Sequence, residues 1–160
     1  MQKIELNKLN FEIIINTNVE KVWEKMLGDE GYRIWTLEFN PGGSYYEKEY
    51  TGEFVAGESI DFLGPDQNGN LGGMISKVAD VRKYKFISFQ HLGYNMNGIR
   101  DTESEEIKSI MPSFENYAFE KIDENTTKIK VYMESDPKYT EMFESMWPKA
   151  LAKLKEISEK

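Results

Sequence analysis

The last stretch of the chain, residues 137–160, reads PKYTEMFESMWPKALAKLKEISEK and decides the fold. Its apolar residues recur at steps of three and four, the spacing that places side chains along one face of an α-helix. These apolar positions are Tyr139, Met142, Phe143, Met146, Trp147, Ala150, Leu151, Leu154 and Ile157. A helix of about twenty residues is roughly 30 Å long, and no other segment predicts a helix of that length to cover it. The pattern therefore predicts a long amphipathic C-terminal helix packed against a β-sheet.

Pro148 interrupts this helical pattern near its middle. A proline removes the backbone hydrogen bond to the residue four positions earlier, here Glu144, and bends the helix axis. A bend beside Met146 and Trp147 would either wrap the helix around a curved sheet or shape a pocket, and the sequence leaves both interpretations open.

Strand patterns separated by turn-forming residues dominate the sequence between residues 44 and 134. Strands are predicted near residues 9–15, 44–51, 58–63, 71–81, 84–92, 113–122 and 127–134. The connections between several of them are short, which favours antiparallel neighbours. The prediction is an α+β protein, one domain over residues 1–160, with a curved antiparallel sheet of seven strands.

Two short helices are predicted directly after the first strand. Thr17 and Glu20 have the T-x-x-E spacing of a capping box. The apolar residues that follow at helical spacing stop at Gly28, and residues 29–39 predict a second short helix or turn that carries Trp35.

Composition and charge exclude several classes of function. The net charge of −8 opposes binding to a nucleic-acid backbone. The sequence has no cysteine and one histidine, His91, so it predicts no disulfide, no thiol nucleophile, no metal site and no cofactor. The N-terminal residues lack a signal pattern and no apolar run reaches membrane-spanning length, which predicts a cytoplasmic protein without membrane insertion.

The alternation of residues along the strands predicts which side chains face the long helix. His91 shares a face with Phe89, and Glu115 shares one with Tyr117. Large, soft or aromatic side chains on such faces suit the irregular wall of a small-molecule site. The predicted ligand-binding residues are Trp23, Met26, Trp35, Tyr46, Phe89, His91, Tyr117, Phe119, Met133, Met142, Met146 and Trp147. The alternative interpretation is that these side chains only fill the core.

The segment from Gly93 to Pro112 breaks the rhythm of the strands. It contains an acidic cluster followed by apolar residues spaced for one turn of helix. A connection this long inside a compact domain is often functional or mobile. The sequence predicts either a lid beside a pocket mouth or a surface excursion.

The predicted order of elements is similar to the helix-grip fold of the START-related SRPBCC superfamily. Four stretches carry the resemblance: residues 19–23 (VEKVW), Trp35, Gly72-Gly73 and residues 147–151 (WPKAL). Residues 87–93 (ISFQHLG) and 114–117 (FENY) resemble the branch grouped with the C-terminal domain of the activator of the heat-shock-protein-90 ATPase (AHSA-like). The resemblance implies a deep apolar cavity between the long helix and the sheet, suited to a lipid, sterol, polyketide or aromatic metabolite.

Three functions are compatible with these observations. The first is binding of a small hydrophobic molecule. The second is a cyclase or hydratase in which His91 and Glu115 act as acid and base, since an unperturbed histidine pKa of about 6.5 suits proton transfer. The third is a protein-interaction module like the chaperone activator. That activator carries a further N-terminal domain which the 160 residues do not include, so a chaperone partner is not expected. A homodimer is a further candidate assembly.

Overall fold

The computed structural model describes residues 2–160. Within these residues the chain forms eight strands and four α-helices. In chain order they are β1 (Asn7–Ile15), α1 (Val19–Leu27), α2 (Asp29–Trp35), β2 (Tyr45–Lys48), β3 (Ser59–Pro65), β4 (Leu71–Arg82), β5 (Phe86–Met96), β6 (Ile99–Asp101), α3 (Glu105–Ile110), β7 (Ser113–Asp123), β8 (Thr126–Ser135) and α4 (Thr140–Ser158). Single turns of 3₁₀ helix extend α2 at Thr36–Glu38 and precede α4 at Pro137–Tyr139.

All strands belong to one open antiparallel sheet. Its order is β1-β8-β7-β5-β4-β3-β2, and β6 pairs with β5 beside this path. The α+β class, the two short helices after β1 and the long C-terminal helix are confirmed. The predicted strand number of seven is one too few, because β6 was not recognised.

The missed strand lies in the segment from Gly93 to Pro112. Asn97 and Gly98 form the turn between β5 and β6, and both have positive φ, 54° and 88°. This is the backbone that Asn-Gly supplies in a tight hairpin turn. Gly93 allows β6 to approach, because a Cβ atom there would lie 2.1 Å from the carbonyl oxygen of Asp101. The segment is therefore a hairpin followed by α3.

The N-terminus of α1 is capped one residue later than the sequence predicted. The side chain of Asn18 accepts a hydrogen bond from the backbone N–H of Lys21 at 2.8 Å. The backbone carbonyl of Thr17 instead accepts a hydrogen bond from the hydroxyl of Thr127 on β8. The predicted capping box of Thr17 and Glu20 is therefore wrong. Asparagine is among the strongest N-cap residues, and the carbonyl of Thr17 is hydrogen-bonded to β8.

Helix α4 packs its C-terminal two-thirds on the sheet. Its buried side chains include Trp147, Leu151 and Leu154, and Pro148 lies inside the helix. The predicted apolar face is wrong at its beginning, where Tyr139 and Met142 are about 40% exposed. Both residues border an open groove at the surface. None of the four α-helices within residues 2–160 is both long enough and apolar enough to cross a membrane.

The inward orientation of the central strands is confirmed. On β8, the side chains of Ile129, Val131 and Met133 are buried. On β5 and β7, the pairing places Phe89 opposite Glu115. The long strands therefore direct aromatic and polar side chains from neighbouring positions toward α2 and α4.

Candidate functional site

A cavity of about 240 Å³ lies between the concave side of the sheet and the helices. Helices α2, α3 and α4 close it, and strands β3, β4, β5, β7 and β8 form its floor. Its lining consists of Leu6, Tyr32, Trp35, Thr36, Phe39, Ser44, Phe62, Met74, His91, Tyr94, Ile110, Met111, Ser113, Phe114, Glu115, Tyr117, Met133, Glu134, Ser135, Asp136, Tyr139, Phe143 and Trp147. Ten of these twenty-three residues are aromatic, so flat ring surfaces form much of the wall.

A groove of about 1010 Å³ lies beside the cavity at the surface. Residues from the β3–β4 and β5–β6 hairpins, from α3 and from the start of α4 line it. The groove and the cavity share Met74, Tyr94, Ile110, Asp136, Tyr139 and Phe143. These shared residues form the passage between the cavity and the surface.

A chain of polar side chains crosses the floor of the cavity. His91 contacts the hydroxyl of Ser76 through Nδ1 at 2.6 Å and the carboxylate of Glu115 through Nε2 at 3.0 Å. The hydroxyl of Tyr117 donates to the other carboxylate oxygen of Glu115. Because a carboxylate only accepts hydrogen bonds, Nε2 must carry a proton. In the neutral ring, Nδ1 then accepts the proton of the Ser76 hydroxyl.

This chain presents a carboxylate to the cavity and not a nucleophile. Ser76 is 2% exposed and lies outside the cavity lining, whereas His91 and Glu115 both belong to it. Both ring nitrogens of His91 already have partners. The arrangement therefore fixes Glu115, through His91, as the polar group that a bound molecule would meet.

A β-bulge positions this part of the wall. The pairing of β4 with β5 shifts between Ile75 and Ser76, so that Ile75 lies opposite Gly93 while Ser76 lies opposite His91. An extra residue in a strand reverses the alternation of side chains beyond it. As a result His91 and Tyr94, three positions apart, both face the cavity.

The protein environment holds Glu115 in its ionised form. Burial by itself raises the pKa of the Glu115 carboxyl, but the hydrogen bond and charge of His91, together with the Tyr117 hydroxyl, bring it below its usual value. Burial and the charge of Glu115 raise the pKa of Tyr117 well above its usual value, and burial followed by the same charge raises the pKa of Tyr32. The wall of the cavity thus combines one carboxylate with two neutral phenols, that of Tyr117 on the floor and that of Tyr32 on α2.

The aromatic wall is held in place by hydrogen bonds within the protein. The indole N–H of Trp35 donates to the carbonyl of Met26 at 2.9 Å, and that of Trp147 contacts the sulfur of Met133 at 3.0 Å. The two indole rings lie 5.7 Å apart. Because these polar atoms are satisfied inside the protein, the two tryptophans offer apolar ring surface to the cavity.

The structure divides the predicted ligand-binding residues into several groups. Those in the cavity lining are Trp35, His91, Tyr117, Met133 and Trp147. Tyr46 and Phe89 border a small void of about 10 Å³ behind Tyr32, and Met142 borders the groove. Trp23, Met26 and Phe119 lie in the packed core outside the cavity lining, with the rings of Trp23 and Phe119 4.8 Å apart. Met146 belongs to neither the cavity nor the groove lining.

Several lining residues were not predicted. Tyr32 and Phe39 lie on the second helical segment, where the rotation of a short helix against the sheet cannot be derived from its own sequence. Phe62 lies on the inward face of β3 and could have been found from strand alternation. Glu134 and Asp136 follow Met133 at the end of β8, where the strand turns toward α4.

The fold and the cavity define a helix-grip protein: a long C-terminal helix held by an antiparallel sheet, with a cavity between them. No family model matches the sequence, and no curated protein matches it. Solved structures do share the fold. The Aha1 dimer from Colwellia psychrerythraea is 20% identical with a TM-score of 0.65, covering 96% of both chains. A protein from Mesorhizobium loti is 12% identical with a TM-score of 0.65, covering 94% of this chain and 95% of its own. A conserved protein of unknown function from Enterococcus faecalis is 13% identical with a TM-score of 0.62, covering 99% of this chain and 74% of its own.

Proposed function

We propose that this protein binds a small, largely apolar molecule in the cavity between α2, α4 and the sheet. The observation that carries the proposal is the cavity itself, a space of about 240 Å³ walled by aromatic rings in an otherwise packed core. Protein interiors normally contain few voids larger than a water molecule. A retained space of this size and shape is typical of a binding site.

The volume limits the size of the molecule. A cavity of roughly 150 Å³ lined by apolar side chains holds benzene, and drug-sized ligands occupy roughly 300–1,000 Å³. The space here, about 240 Å³, fits one or two fused rings. A sterol or an acyl chain would have to continue into the groove. An aromatic metabolite, or the ring portion of a polyketide, is therefore favoured over a lipid that is wholly enclosed.

The floor of the cavity supplies orientation. Glu115 accepts hydrogen bonds from His91 and Tyr117, and its two oxygens retain further lone pairs for a ligand. A ligand group that donates a hydrogen bond would satisfy them, whereas a purely hydrocarbon ligand would leave the carboxylate desolvated. The expected ligand carries an N–H or O–H group at one end of an apolar body.

Ligand binding can be followed by tryptophan fluorescence. Trp35 and Trp147 line the cavity and Trp23 does not. In a Trp23→Phe variant the remaining emission reports on the cavity wall alone, so we expect 1-naphthol, a two-ring compound with an O–H group, to change it saturably at a stoichiometry of one. The same probe should raise the melting temperature, because it binds the folded state. A linear, unsaturated change without thermal stabilisation, repeated across a panel of one- and two-ring compounds, would contradict the proposal.

A proton-transfer enzyme is the second candidate function, favoured by the position of Glu115. The carboxylate faces the cavity in its ionised form, which suits a general base. His91 has both nitrogens engaged, so it would position Glu115 and not act on the ligand directly. Once a substrate is identified, Glu115→Gln should abolish turnover even at saturating substrate; unchanged turnover would remove this candidate.

A further inference from the structure

We propose, building on the binding function above, that the cavity selects its ligand by charge and takes an arylalkyl amine, whose amino group is protonated at neutral pH. Three acidic residues, Glu115, Glu134 and Asp136, belong to the lining; the Glu134 carboxylate accepts a hydrogen bond from Tyr132 on the face of β8 opposite Met133, so Glu115 and Asp136 supply the charge. Within the described residues 2–160, the same lining contains no lysine and no arginine. His91 is its one basic side chain there, so the wall has a net negative charge at neutral pH even when that ring is protonated.

The carboxylates are held mainly by uncharged hydrogen-bond donors. Glu134 accepts the backbone N–H of Phe114 at 2.9 Å and the hydroxyl of Tyr132 at 2.7 Å. Across residues 2–160, neither Glu115 nor Glu134 forms an ion pair with a lysine or an arginine. Their charge is therefore stabilised in place and is not neutralised by an ammonium or guanidinium group.

Asp136 lies where the cavity meets the groove, and it pairs with one ammonium group. Its carboxylate accepts the backbone N–H of Lys138 at 3.1 Å, and the ammonium of Lys138 lies 3.9 Å away. Both side chains of this pair contribute to the groove. Lys3 donates a hydrogen bond to the carbonyl of Met111 but belongs to neither lining. Lys8 pairs opposite Glu134 across β1 and β8, and like Lys3 and Lys138 it does not belong to the cavity lining.

The aromatic rings of the cavity wall also attract cations. The faces of tryptophan and tyrosine rings carry negative electrostatic potential and attract organic cations within about 6 Å of the ring centre. Trp35, Tyr117 and Trp147 surround one part of the cavity with ring centroids 5.7 to 6.4 Å apart. A ligand ammonium between these rings and Glu115 would meet both kinds of attraction at once.

The groove at the entrance is negatively charged, like the cavity. The groove carries the carboxylates of Asp66, Asp101, Glu106 and Asp136 against the single ammonium of Lys138 among the described residues. Clefts lined by one sign of charge raise the local concentration of the opposite ion and its rate of association. A carboxylic acid of the same size would be repelled at the groove and again at Glu115.

The test compares three ligands of one shape: 2-(1-naphthyl)ethylamine, 2-(1-naphthyl)ethanol and 1-naphthylacetate. Isothermal titration at neutral pH gives the three Kd values for the wild-type protein. We expect the amine to bind at least tenfold more tightly than the alcohol, and the carboxylate to bind at least tenfold more weakly than the alcohol. Equal binding of amine and alcohol, or tightest binding of the carboxylate, would overturn the charge preference while leaving the binding function standing. Binding by none of the three would contradict the binding function itself.

Two substitutions test whether Glu115 causes the preference for the amine. Glu115→Gln should weaken binding of the amine at least tenfold and change that of the alcohol less than threefold. Glu120→Gln is the matched control, because Glu120 lies on the same strand but is about half exposed, pairs with Lys130 and is absent from the cavity lining. An equal loss of amine binding in both variants, or none in either, would refute the assignment to Glu115.

Discussion

Replacing His91 with leucine removes the centre of the polar chain on the cavity floor and tests whether that chain is built as described. His91 is 7% exposed, and it is hydrogen-bonded to Ser76 and Glu115. A hydrogen bond to a charged group contributes about 1.5–3 kcal/mol, and a buried hydroxyl left without its partner costs about 1 kcal/mol or more. We therefore expect His91→Leu to lower the free energy of unfolding at pH 7 by about 2.5–4 kcal/mol.

The stability difference between wild type and His91→Leu should depend on pH. The pKa of Glu115 is lowered in the folded protein, so its contribution to stability is present above its unfolded value, near 4.5, and is lost as pH falls through the lower, folded value. In His91→Leu the hydrogen bond and charge that lower this pKa are gone, and burial raises it instead. The difference in stability between wild type and variant should therefore shrink as pH falls from 7 toward 4.

Urea unfolding followed by far-UV circular dichroism at several pH values measures both quantities. Glu115→Gln is the matched control, because glutamine keeps an oxygen that accepts the Nε2–H of His91. We expect it to lower the free energy of unfolding by about 1 kcal/mol, the net contribution of an ordinary hydrogen bond. A loss below 1 kcal/mol for His91→Leu at pH 7, or a difference that grows on acidification, would refute the assigned hydrogen-bond pattern.

Three further predictions concern packing, a buried ion pair and strand pairing in the rest of the fold. Trp147→Ala should cost about 3–5 kcal/mol in urea unfolding, as expected for a large buried aromatic ring; a cost below 1 kcal/mol would mean that the ring is not packed as described. Lys48→Met leaves the fully buried carboxylate of Glu58 without the ammonium 3.4 Å away, which should cost about 3–5 kcal/mol and lower the melting temperature. Adding Glu58→Gln should restore part of that loss, and the absence of any recovery would argue against a paired charge. Gly93→Ala places a Cβ atom against the carbonyl of Asp101, so amide hydrogen exchange in β6 should become faster; unchanged protection would contradict the close approach of β6.

The sequence predicted those features that depend on local periodicity. The helical spacing through Trp147 and Leu154 predicts α4, and strand alternation correctly turns Phe89, His91 and Tyr117 inward. These predictions succeed because burial of one face is a property of each element separately.

Features that depend on the relation between elements were not predictable from one sequence. The contact between His91 and Glu115 requires the register of β5 on β7, and the shared orientation of His91 and Tyr94 requires a bulge against β4. Whether Met26 or Tyr32 faces the cavity depends on how the short helices rotate against the sheet. By contrast, the Asn97-Gly98 turn is a local signal of a tight hairpin, and it should have revealed β6.

Native mass spectrometry of the protein purified from the organism that expresses it shows whether the cavity holds a ligand. We expect one stoichiometric small molecule, with one or two rings and a group that donates hydrogen bonds, released on denaturation and identifiable by its mass. A mass equal to that of the chain alone, together with no thermal stabilisation by any one- or two-ring compound, would contradict the claim that the cavity is a binding site.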